Sequence, residues 1–259
     1  MKLVAGRPKL LKPKKFHYCS GCGHSIVHRL LMELAEELEI AERLLVVAPA
    51  GCAVLAYDYM DVDVVESAHG RGPAVATGIK RSLPGAIVFT YQGDGDLAAI
   101  GTAESIHAAA RGERIMTVFI NNGIYGMTGG QMAPTTLEGM RATTAPEGRS
   151  VEREGYTLDL SSLLAQIPGV VYAERVSVNS PRAIRHAKKA LEAAIRCQLD
   201  NEPGLALVEV LSMCPTNWKK TPVESCQWID EVMSKKFQLG VLVDRRKKSK
   251  KMAVAENAG

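Results

Sequence analysis

Ala-Ile-Val-Phe-Thr-Tyr-Gln-Gly-Asp-Gly-Asp, residues 86–96, places an apolar run directly before a glycine-rich turn. The run predicts a buried strand over 86–91, and the alanine-rich segment that follows predicts a helix over 97–111. In an open α/β sheet, ligands bind beyond the carboxyl ends of the strands. Glycines there let the backbone approach a diphosphate, and the helix N-terminus offers N–H donors. The stretch therefore predicts a strand, a ligand site and a covering helix, in that order.

The alternation of strand and helix continues outward in both directions. Apolar runs predict further strands at 44–47, 115–120, 170–176 and 205–211, and helical spacing predicts helices at 26–38, 74–81, 160–166, 181–198 and 222–236. Continuous apolar strands that alternate with helices are typical of a parallel sheet buried on both sides. We therefore predict an α/β fold, with a parallel sheet and helices on both faces.

Length and composition limit the class of protein. The chain has 259 residues, of which 46% are hydrophobic, which suffices for one large α/β domain. We predict this domain over 16–240, between a basic segment at 1–15 and a basic, disordered tail at 241–259. No apolar run is long enough to span a bilayer, and 1–15 lacks the apolar core of a secretory signal. We therefore expect a cytoplasmic protein without a membrane partner.

The basic tail accounts for part of the net charge of +4, because residues 245–251 read Arg-Arg-Lys-Lys-Ser-Lys-Lys. Such a charge run is usually a solvated, disordered segment, although an acidic or nucleic-acid partner would also fit it. Aromatic residues make up only 5% of the chain, which argues against a surface that stacks on bases. We expect no nucleic-acid partner.

A magnesium site is predicted where two neighbouring strands end. Asp94 would repel a diphosphate directly, so its place in the turn makes sense if a divalent cation lies between them. The next predicted strand ends in Asn121-Asn122-Gly123, at the same edge of the sheet. Gly-Asp-Gly alone often marks only a turn, but the pair of asparagines strengthens the interpretation. Asp94 and Asn122 are expected to converge on one magnesium ion.

Four of the six cysteines form a second candidate site. Cys19, Cys22, Cys52 and Cys214 each lie within two residues of glycine or proline, whereas Cys197 and Cys226 fall within predicted helices. In a cytosolic protein, cysteines are more often ligands or catalysts than disulfides. Thiolates bind iron–sulfur clusters or zinc, and their spacing alone does not decide between the two. We interpret Cys197 and Cys226 as packing residues.

These motifs resemble those of a known family. Gly-Asp-Gly followed by asparagine resembles the thiamine-diphosphate motif, and five further segments carry a closer resemblance. They are Tyr-Cys-Ser-Gly-Cys-Gly-His at 18–24, Ala-Pro-Ala-Gly-Cys at 48–52, His-Gly-Arg at 69–71, Tyr-Gly-Met-Thr-Gly-Gly-Gln at 125–131 and Cys-Pro-Thr-Asn-Trp at 214–218. Together they resemble the β subunit of 2-oxoacid:ferredoxin oxidoreductases, and the matching segments run from about 16 to about 240, nearly the whole chain. Ser20 stands where the family usually has proline, at a position that is not a ligand.

The resemblance implies specific site residues. Asp94, the side chain of Asn122 and the main-chain carbonyl of Ile124 would bind magnesium, and Gly93, Gly95 and Asp96 would line the diphosphate. Cys19, Cys22, Cys52 and Cys214 would hold a [4Fe–4S] cluster. Gly51, His69, Tyr125 and Thr128 are further candidate contacts to cofactor or substrate, with structural roles still open for His69 and for 125–131. His24 is interpreted as a helix cap or a core residue.

The implied activity is the CoA-dependent oxidative decarboxylation of a 2-oxoacid, with the electrons passed to ferredoxin. The glutamate that activates thiamine lies on another domain in this family, so we expect an α subunit to supply it, with γ and ferredoxin-like δ subunits as further partners. The resemblance is to the 2-oxoglutarate and 2-oxoisovalerate types. Open alternatives are a pyruvate enzyme, a non-oxidative thiamine decarboxylase with structural zinc, and an electron-transfer subunit without thiamine. The loop at 123–156 is expected to border the cofactor and a partner, and to become ordered there.

Overall fold

The strands follow the predicted alternation. A computed structural model of the protein describes residues 6–247. Its strands are β1 (Leu44–Pro49), β2 (Asp63–Ser67), β3 (Ile87–Gly93), β4 (Met116–Asn121), β5 (Ile124–Tyr125), β6 (Gln131–Met132), β7 (Val170–Ser177), β8 (Leu205–Leu211) and β9 (Gly240–Asp244). Seven of them form one sheet in the order β2-β1-β3-β4-β8-β7-β9, which is parallel except for β9, while β5 and β6 form a separate hairpin.

The helices cover both faces of this sheet. They are α1 (His24–Glu37), α2 (Gly72–Ser82), α3 (Thr102–Ala110), α4 (Val151–Glu154), α5 (Leu160–Ala165), α6 (Pro181–Leu199), α7 (Pro215–Trp218), α8 (Pro222–Trp228) and α9 (Ser234–Lys236). Apolar residues of α1 and α6 form one hydrophobic core with the sheet, and those of α2, α3 and α5 form a second. The predicted α/β fold with helices on both faces is confirmed. No helix within 6–247 is long and apolar enough to cross a bilayer.

The register of the sheet brings several strand ends to one edge. Val47 of β1 pairs with Thr90 of β3, Gly93 of β3 pairs with Ile120 of β4, and Asn121 of β4 pairs with Leu211 of β8. Because these strands are parallel and adjacent, the segments that follow them emerge side by side. This edge is where an α/β sheet presents ligand sites.

The first helix after the Gly-Asp-Gly-Asp turn differs from the predicted continuous helix. A π-helical segment at Gly95–Ile100 comes first, and α3 begins only after Gly101. A Cβ on Gly101 would lie 2.7 Å from the carbonyl oxygen of Gly70, so the close approach of these two backbones requires glycine. Wide turns of this kind occur often at functional sites.

Both ends of the domain are more ordered than the sequence indicates. The predicted tail at 241–259 begins inside β9, which pairs with β7, and Arg245 donates to the carbonyl of Val170 at 2.6 Å. Three consecutive apolar residues at 241–243 belong to this edge strand, although the charge run that follows them predicts a disordered tail. At the other end, Leu11 is buried and bridges to Met60, so part of the basic segment belongs to the domain. Residues 1–5 and 248–259 of the predicted end segments lie outside the described residues.

Candidate cofactor site

The predicted magnesium ligands meet at a single backbone amide. The N–H of Ile124 donates to Oδ2 of Asp94 and to Oδ1 of Asn122, each at 3.1 Å. Asp94 follows β3 and Asn122 follows β4, so this amide draws together side chains from two adjacent strand ends. Carboxylate, amide and main-chain carbonyl oxygens are the ligands that magnesium prefers, and the donor set therefore fits that ion.

The Asp94 carboxylate is buried and held in place from several sides. Its Oδ2 also accepts a hydrogen bond of 2.8 Å from Thr135, and its Oδ1 accepts one of 3.0 Å from the N–H of Gly95. Burial nevertheless raises the pKa of Asp94 to about 6. A cation beside this carboxylate would compensate for its lost hydration. Thr135 is a supporting residue that no sequence motif indicated.

A buried polar network supports the loop behind Asn122. Asn121 accepts a hydrogen bond from the N–H of Gly123 at 3.1 Å and donates to Glu209 of β8 at 2.7 Å. Glu209 also binds Arg175 of β7 at 2.6 Å, and both of these side chains are buried. The first asparagine of the pair thus shapes the turn, which leaves the second free to face the site.

Asp96 borders the same pocket, but its carboxylate is engaged by the protein itself. It accepts hydrogen bonds from Nδ1 of His69, from the N–H of Gly70 at 2.7 Å and from the side chain of Gln92. Asp96 is buried, whereas His69 is about one-third exposed towards the pocket. Asp96 thus holds the imidazole of His69, which is the more exposed of the two towards the pocket, and the diphosphate contact expected of Asp96 stays a prediction.

Some glycines of the pocket border open space, and another allows a tyrosine ring to approach the backbone closely. A Cβ at Gly51, where φ is +108°, or at Gly93 would meet no atom within 4 Å, so both positions border open space. At Gly95 a Cβ would lie 2.2 Å from the ring of Tyr125, whose hydroxyl donates to the Gly95 carbonyl at 3.2 Å. This open, glycine-bordered space fits a diphosphate next to the magnesium ligands.

The remaining lining residues include both expected and unexpected ones. Thr128 lines the pocket and donates to Gln131 at 2.5 Å. His24 also lines it, although it was interpreted as a cap or core residue. Its Nδ1 lies 2.8 Å from the Tyr91 hydroxyl, and burial lowers the pKa of His24 to about 3, which keeps the ring neutral. Met127 and the alanines at 50 and 53 contribute apolar surface.

Four thiols gather beside this pocket. A Cβ on Gly126 would lie 3.2 Å from Sγ of Cys52 and 3.8 Å from Sγ of Cys214. Cys19 and Cys22 share a tight turn, in which the N–H of Cys22 donates to the Cys19 carbonyl at 3.0 Å. The next residue, Gly23, donates to the carbonyl of Met213 at 3.4 Å, which brings this turn to Cys214.

The thiols are free and influence one another. Burial raises the pKa of Cys22 to about 12 and that of Cys52 to about 11, and the neighbouring cysteines add to both shifts. Asn217 donates to Sγ of Cys214 at 3.3 Å, a bond that favours its thiolate. Between residues 6 and 247, no three histidine, cysteine or acidic side chains are grouped to hold a single metal ion. Four cysteines are the usual ligands of a [4Fe–4S] cluster, in which each thiolate binds a different iron, so this set of residues fits a cluster.

The other two cysteines lie elsewhere. Cys197 is buried in α6 and bonds to the carbonyl of Ala193, and Cys226 is half-buried in α8. Both pack against the hydrophobic core, as expected from their helical context.

The long loop at 123–156 is compact in the isolated chain, whereas it was expected to become ordered at a partner. Arg149 is buried and donates to the carbonyls of Pro134 and Thr136, each at 2.7 Å, and to that of Tyr156 at 2.5 Å. Thr136 in turn donates to the carbonyl of Gly123 at 2.6 Å. One arginine thus satisfies several carbonyls of the loop, in addition to the backbone hydrogen bonds within it. Hydropathy periodicity does not reveal such a residue.

Comparison with known proteins identifies the domain. Residues 50–210 match the family described as thiamine pyrophosphate enzyme, C-terminal TPP binding domain. The matched range starts next to Gly51 and includes the strand ends that carry Asp94 and Asn122. The match covers more than half of the chain.

The chain is also similar to named oxidoreductase subunits. It is 46% identical over 245 residues to the ketoisovalerate oxidoreductase subunit VorA of Methanothermobacter thermautotrophicus, covering 95% of this chain and 51% of that protein. It is 38% identical over 221 residues to the 2-oxoglutarate synthase subunit KorB of Methanocaldococcus jannaschii, covering 83% of this chain and 77% of that protein. The chain therefore spans about half the length of VorA.

A solved structure has the same fold. The 2-oxoglutarate:ferredoxin oxidoreductase from Magnetococcus marinus, solved with 2-oxoglutarate, coenzyme A and succinyl-CoA bound, superposes with a TM-score of 0.77. The superposition covers 99% of this chain and 91% of that chain. At 22% sequence identity, this similarity concerns the architecture of the sheet and its helices.

Proposed function

Because the chain belongs to the thiamine-diphosphate-binding subunits of the 2-oxoacid:ferredoxin oxidoreductases, we propose that it is the β-type subunit of an enzyme that converts a 2-oxoacid and CoA to an acyl-CoA. The observation that carries this proposal is the meeting of Asp94 and Asn122 at one amide, near the thiols of Cys52 and Cys214 and the adjoining Cys19–Cys22 turn. A diphosphate–magnesium site and a redox centre thus share one pocket edge.

The cofactor site follows from this arrangement. Asp94, Asn122 and the carbonyl of Ile124 hold magnesium, and the open backbone at Gly51 and Gly93 receives the diphosphate. When bound, thiamine diphosphate supplies the nucleophilic carbon and the electron sink needed to cleave a 2-oxoacid. The residues of this chain bind and orient it, and the buried, apolar surroundings exclude water.

The redox centre is a [4Fe–4S] cluster on Cys19, Cys22, Cys52 and Cys214. Cys52 lines the cofactor pocket itself, so the cluster lies next to the site of decarboxylation. The expected electron acceptor is ferredoxin, reached directly or through a ferredoxin-like subunit. Metal and thiamine analysis distinguishes this assignment from the alternatives with structural zinc or without thiamine.

The activating carboxylate comes from a partner. Among residues 6–247, the acidic side chains that line the pocket are Asp94 and Asp96, and both already have other partners. Glu66 is exposed on β2, and Glu104 pairs with Arg71. An α-type subunit therefore completes the active site, within a complex that also includes γ and δ subunits.

The proposed substrate is a branched-chain 2-oxoacid, with 2-oxoglutarate as the second candidate and pyruvate as the third. In the described part of the chain, no lysine or arginine lines the pocket, although the distal carboxylate of 2-oxoglutarate would need a cation. The two alanines and Met127 suit an apolar side chain instead. The chain is also more similar to the ketoisovalerate oxidoreductase subunit, at 46% identity, than to the 2-oxoglutarate synthase subunit, at 38%, which favours a branched-chain 2-oxoacid.

A test of the function combines composition with activity. The chain, purified with its partner subunits under anaerobic conditions, is expected to contain iron, acid-labile sulfide and thiamine diphosphate. It is expected to reduce methyl viologen with CoA and 2-oxoisovalerate at a higher kcat/KM than with 2-oxoglutarate or pyruvate. Zinc in place of iron, or absence of thiamine diphosphate, would contradict the proposal.

The cysteine assignment has its own prediction. Replacing Cys19, Cys22, Cys52 or Cys214 by alanine removes one ligand each, so we expect loss of the brown colour and of dye reduction. Cys197→Ala and Cys226→Ala serve as matched controls and should keep both. Iron analysis and visible absorption measure the outcome. Loss of iron from the Cys197 variant, with iron retained in the Cys52 variant, would show that the ligand set is wrong.

A further inference from the structure

A basic groove lies outside the cofactor pocket, between the N-terminal segment, α1 and α6. Its cations are Arg7, Lys14, Lys15, Arg29, Arg185 and Lys188, and the acidic side chain that lines it is Glu33. On the N-terminal side of the groove, Arg7, Lys14 and Lys15 are exposed. This groove has no role in the site described above.

The charge of the groove is only partly balanced. Lys14 pairs with Asp58 at 2.6 Å, and Lys188 pairs with Glu37 at 2.6 Å. Arg7, Lys15 and Arg185 form no ion pair with any described residue of the chain. Arg185 also borders a neighbouring depression that contains Arg182 and Lys189 of α6, so the positive surface extends along this helix. A surface of this kind attracts a negatively charged partner.

The groove adjoins the exposed edge of the four-cysteine group. Ser25 lines the groove and donates to the carbonyl of Cys22 at 3.3 Å. Phe16 also lines it and lies three residues before Cys19, which is exposed. A molecule seated in the groove would therefore lie beside the Cys19–Cys22 turn rather than beside the cofactor pocket.

The floor of the groove is apolar, formed by Phe16, Ile26, Leu30 and Ile184. Cations around an apolar floor match a protein surface better than an isolated phosphate, because protein interfaces combine an apolar centre with a polar rim. We propose that the basic groove docks a small acidic electron-carrier protein. The proposal rests on the function proposed above, since it assumes that the four cysteines hold a redox cluster.

The step that this docking serves is a simple electron transfer. With a cluster on the four cysteines, one electron would pass from the reduced cluster to the oxidised carrier, so the cluster would be oxidised and the carrier reduced by one electron, and no bond would be made or broken. The two electrons released from each 2-oxoacid leave in two such events, to two carrier molecules.

The test compares two double variants of the complete complex. Lys15→Glu with Arg185→Glu reverses two unpaired charges of the groove, and Arg114→Glu with Arg196→Glu makes the same change in net charge at exposed positions outside it. We measure KM and kcat with a purified acidic ferredoxin, and kcat with methyl viologen, at low and high ionic strength.

At low ionic strength, we expect the KM of the groove variant for ferredoxin to be on the order of tenfold higher than that of the control variant. This difference should shrink at high salt. Its methyl viologen activity should equal that of the control variant. Equal ferredoxin KM values for the two variants would overturn the docking proposal. Failure of only the groove variant to assemble with its partners would also overturn it, because the groove would then be a subunit interface. Failure of the proposed function is separate, because the wild-type complex would then reduce neither acceptor.

Discussion

At the scale of single residues, one backbone amide organises the cofactor site. The N–H of Ile124 orients Asp94 and Asn122 together, and Thr135 fixes the same carboxylate from the loop. The pairing of Asp94 with Asn122 could be predicted because both follow apolar strands that end at the same sheet edge. The contribution of Thr135 could not be predicted, because the sequence around a threonine in an aperiodic loop does not indicate which residue its side chain contacts.

Asp94→Asn should abolish magnesium-dependent binding of thiamine diphosphate. The amide preserves the shape of the side chain, but it removes the charge that attracts the cation. Iron content should remain normal, because the cysteines are separate from this side chain. Calorimetry measures cofactor affinity, and Asp244→Asn, an exchange at a surface ion pair, is the control. Unchanged affinity in the Asp94 variant would rule out the magnesium assignment.

Asp96→Asn should weaken cofactor binding indirectly, through His69. The buried carboxylate accepts three hydrogen bonds, and an amide offers an N–H group where an acceptor is needed. A bond to a charged group contributes about 1.5–3 kcal/mol, so cofactor affinity should fall roughly tenfold or more. If Asp96 acts by holding His69, the double variant with His69→Ala should bind no more weakly than His69→Ala alone. Additive losses in calorimetry would indicate an independent role for Asp96.

At the scale of elements, the site is formed by the ends of the strands and by the loop at 123–156, whose carbonyls accept hydrogen bonds from Arg149. The strands at β1, β3, β4 and β8 were predictable from their continuous apolar runs. The edge strands β2 and β9 were not, because β2 is short and largely exposed, and β9 precedes a run of charges. The loop at 123–156 lacks periodicity because most of its residues lie outside regular strands and helices, and several of its carbonyls accept hydrogen bonds from the side chain of Arg149.

Arg149→Met should loosen this loop. Methionine fills similar space but donates no hydrogen bond, so several buried carbonyls lose their partner, each at a cost of about 1–3 kcal/mol. We expect faster proteolysis within 133–156 and weaker cofactor binding, because Thr135 lies in the same segment. Arg153→Met is the matched control, as Arg153 is exposed and pairs with Glu147 and Glu154. Equal proteolysis rates for the two variants would contradict this role.

At the scale of the whole molecule, the proposed function makes this chain one half of an active site. Its sheet edge supplies the diphosphate site and the thiols, while the acidic residues of the pocket already have other partners. The fold class and the positions of the four cysteines could be predicted from motifs and apolar runs. The basic groove could not, because its cations come from three segments that are distant in sequence and converge only after folding.

The chain purified alone should therefore not decarboxylate any 2-oxoacid. Among residues 6–247, the acidic side chains that line the pocket already have other partners, so none is placed to activate thiamine, although the chain should still hold iron. Mixing it with its α-type partner should restore CoA-dependent dye reduction. The assay uses 2-oxoisovalerate, 2-oxoglutarate and pyruvate in parallel. Robust activity of the chain alone would refute the shared active site and direct attention to Glu66 and Glu104.

The shared amide at Ile124 also has a consequence for how cation loading can be observed. Its hydrogen is held between two side chains that are themselves the proposed ligands of the metal. Filling the site should lower the frequency of local opening there, because both acceptors become fixed. The rate at which this single hydrogen exchanges with deuterium should therefore fall as magnesium and thiamine diphosphate are added. That rate would report occupancy in a chain with no turnover, before any partner subunit is present.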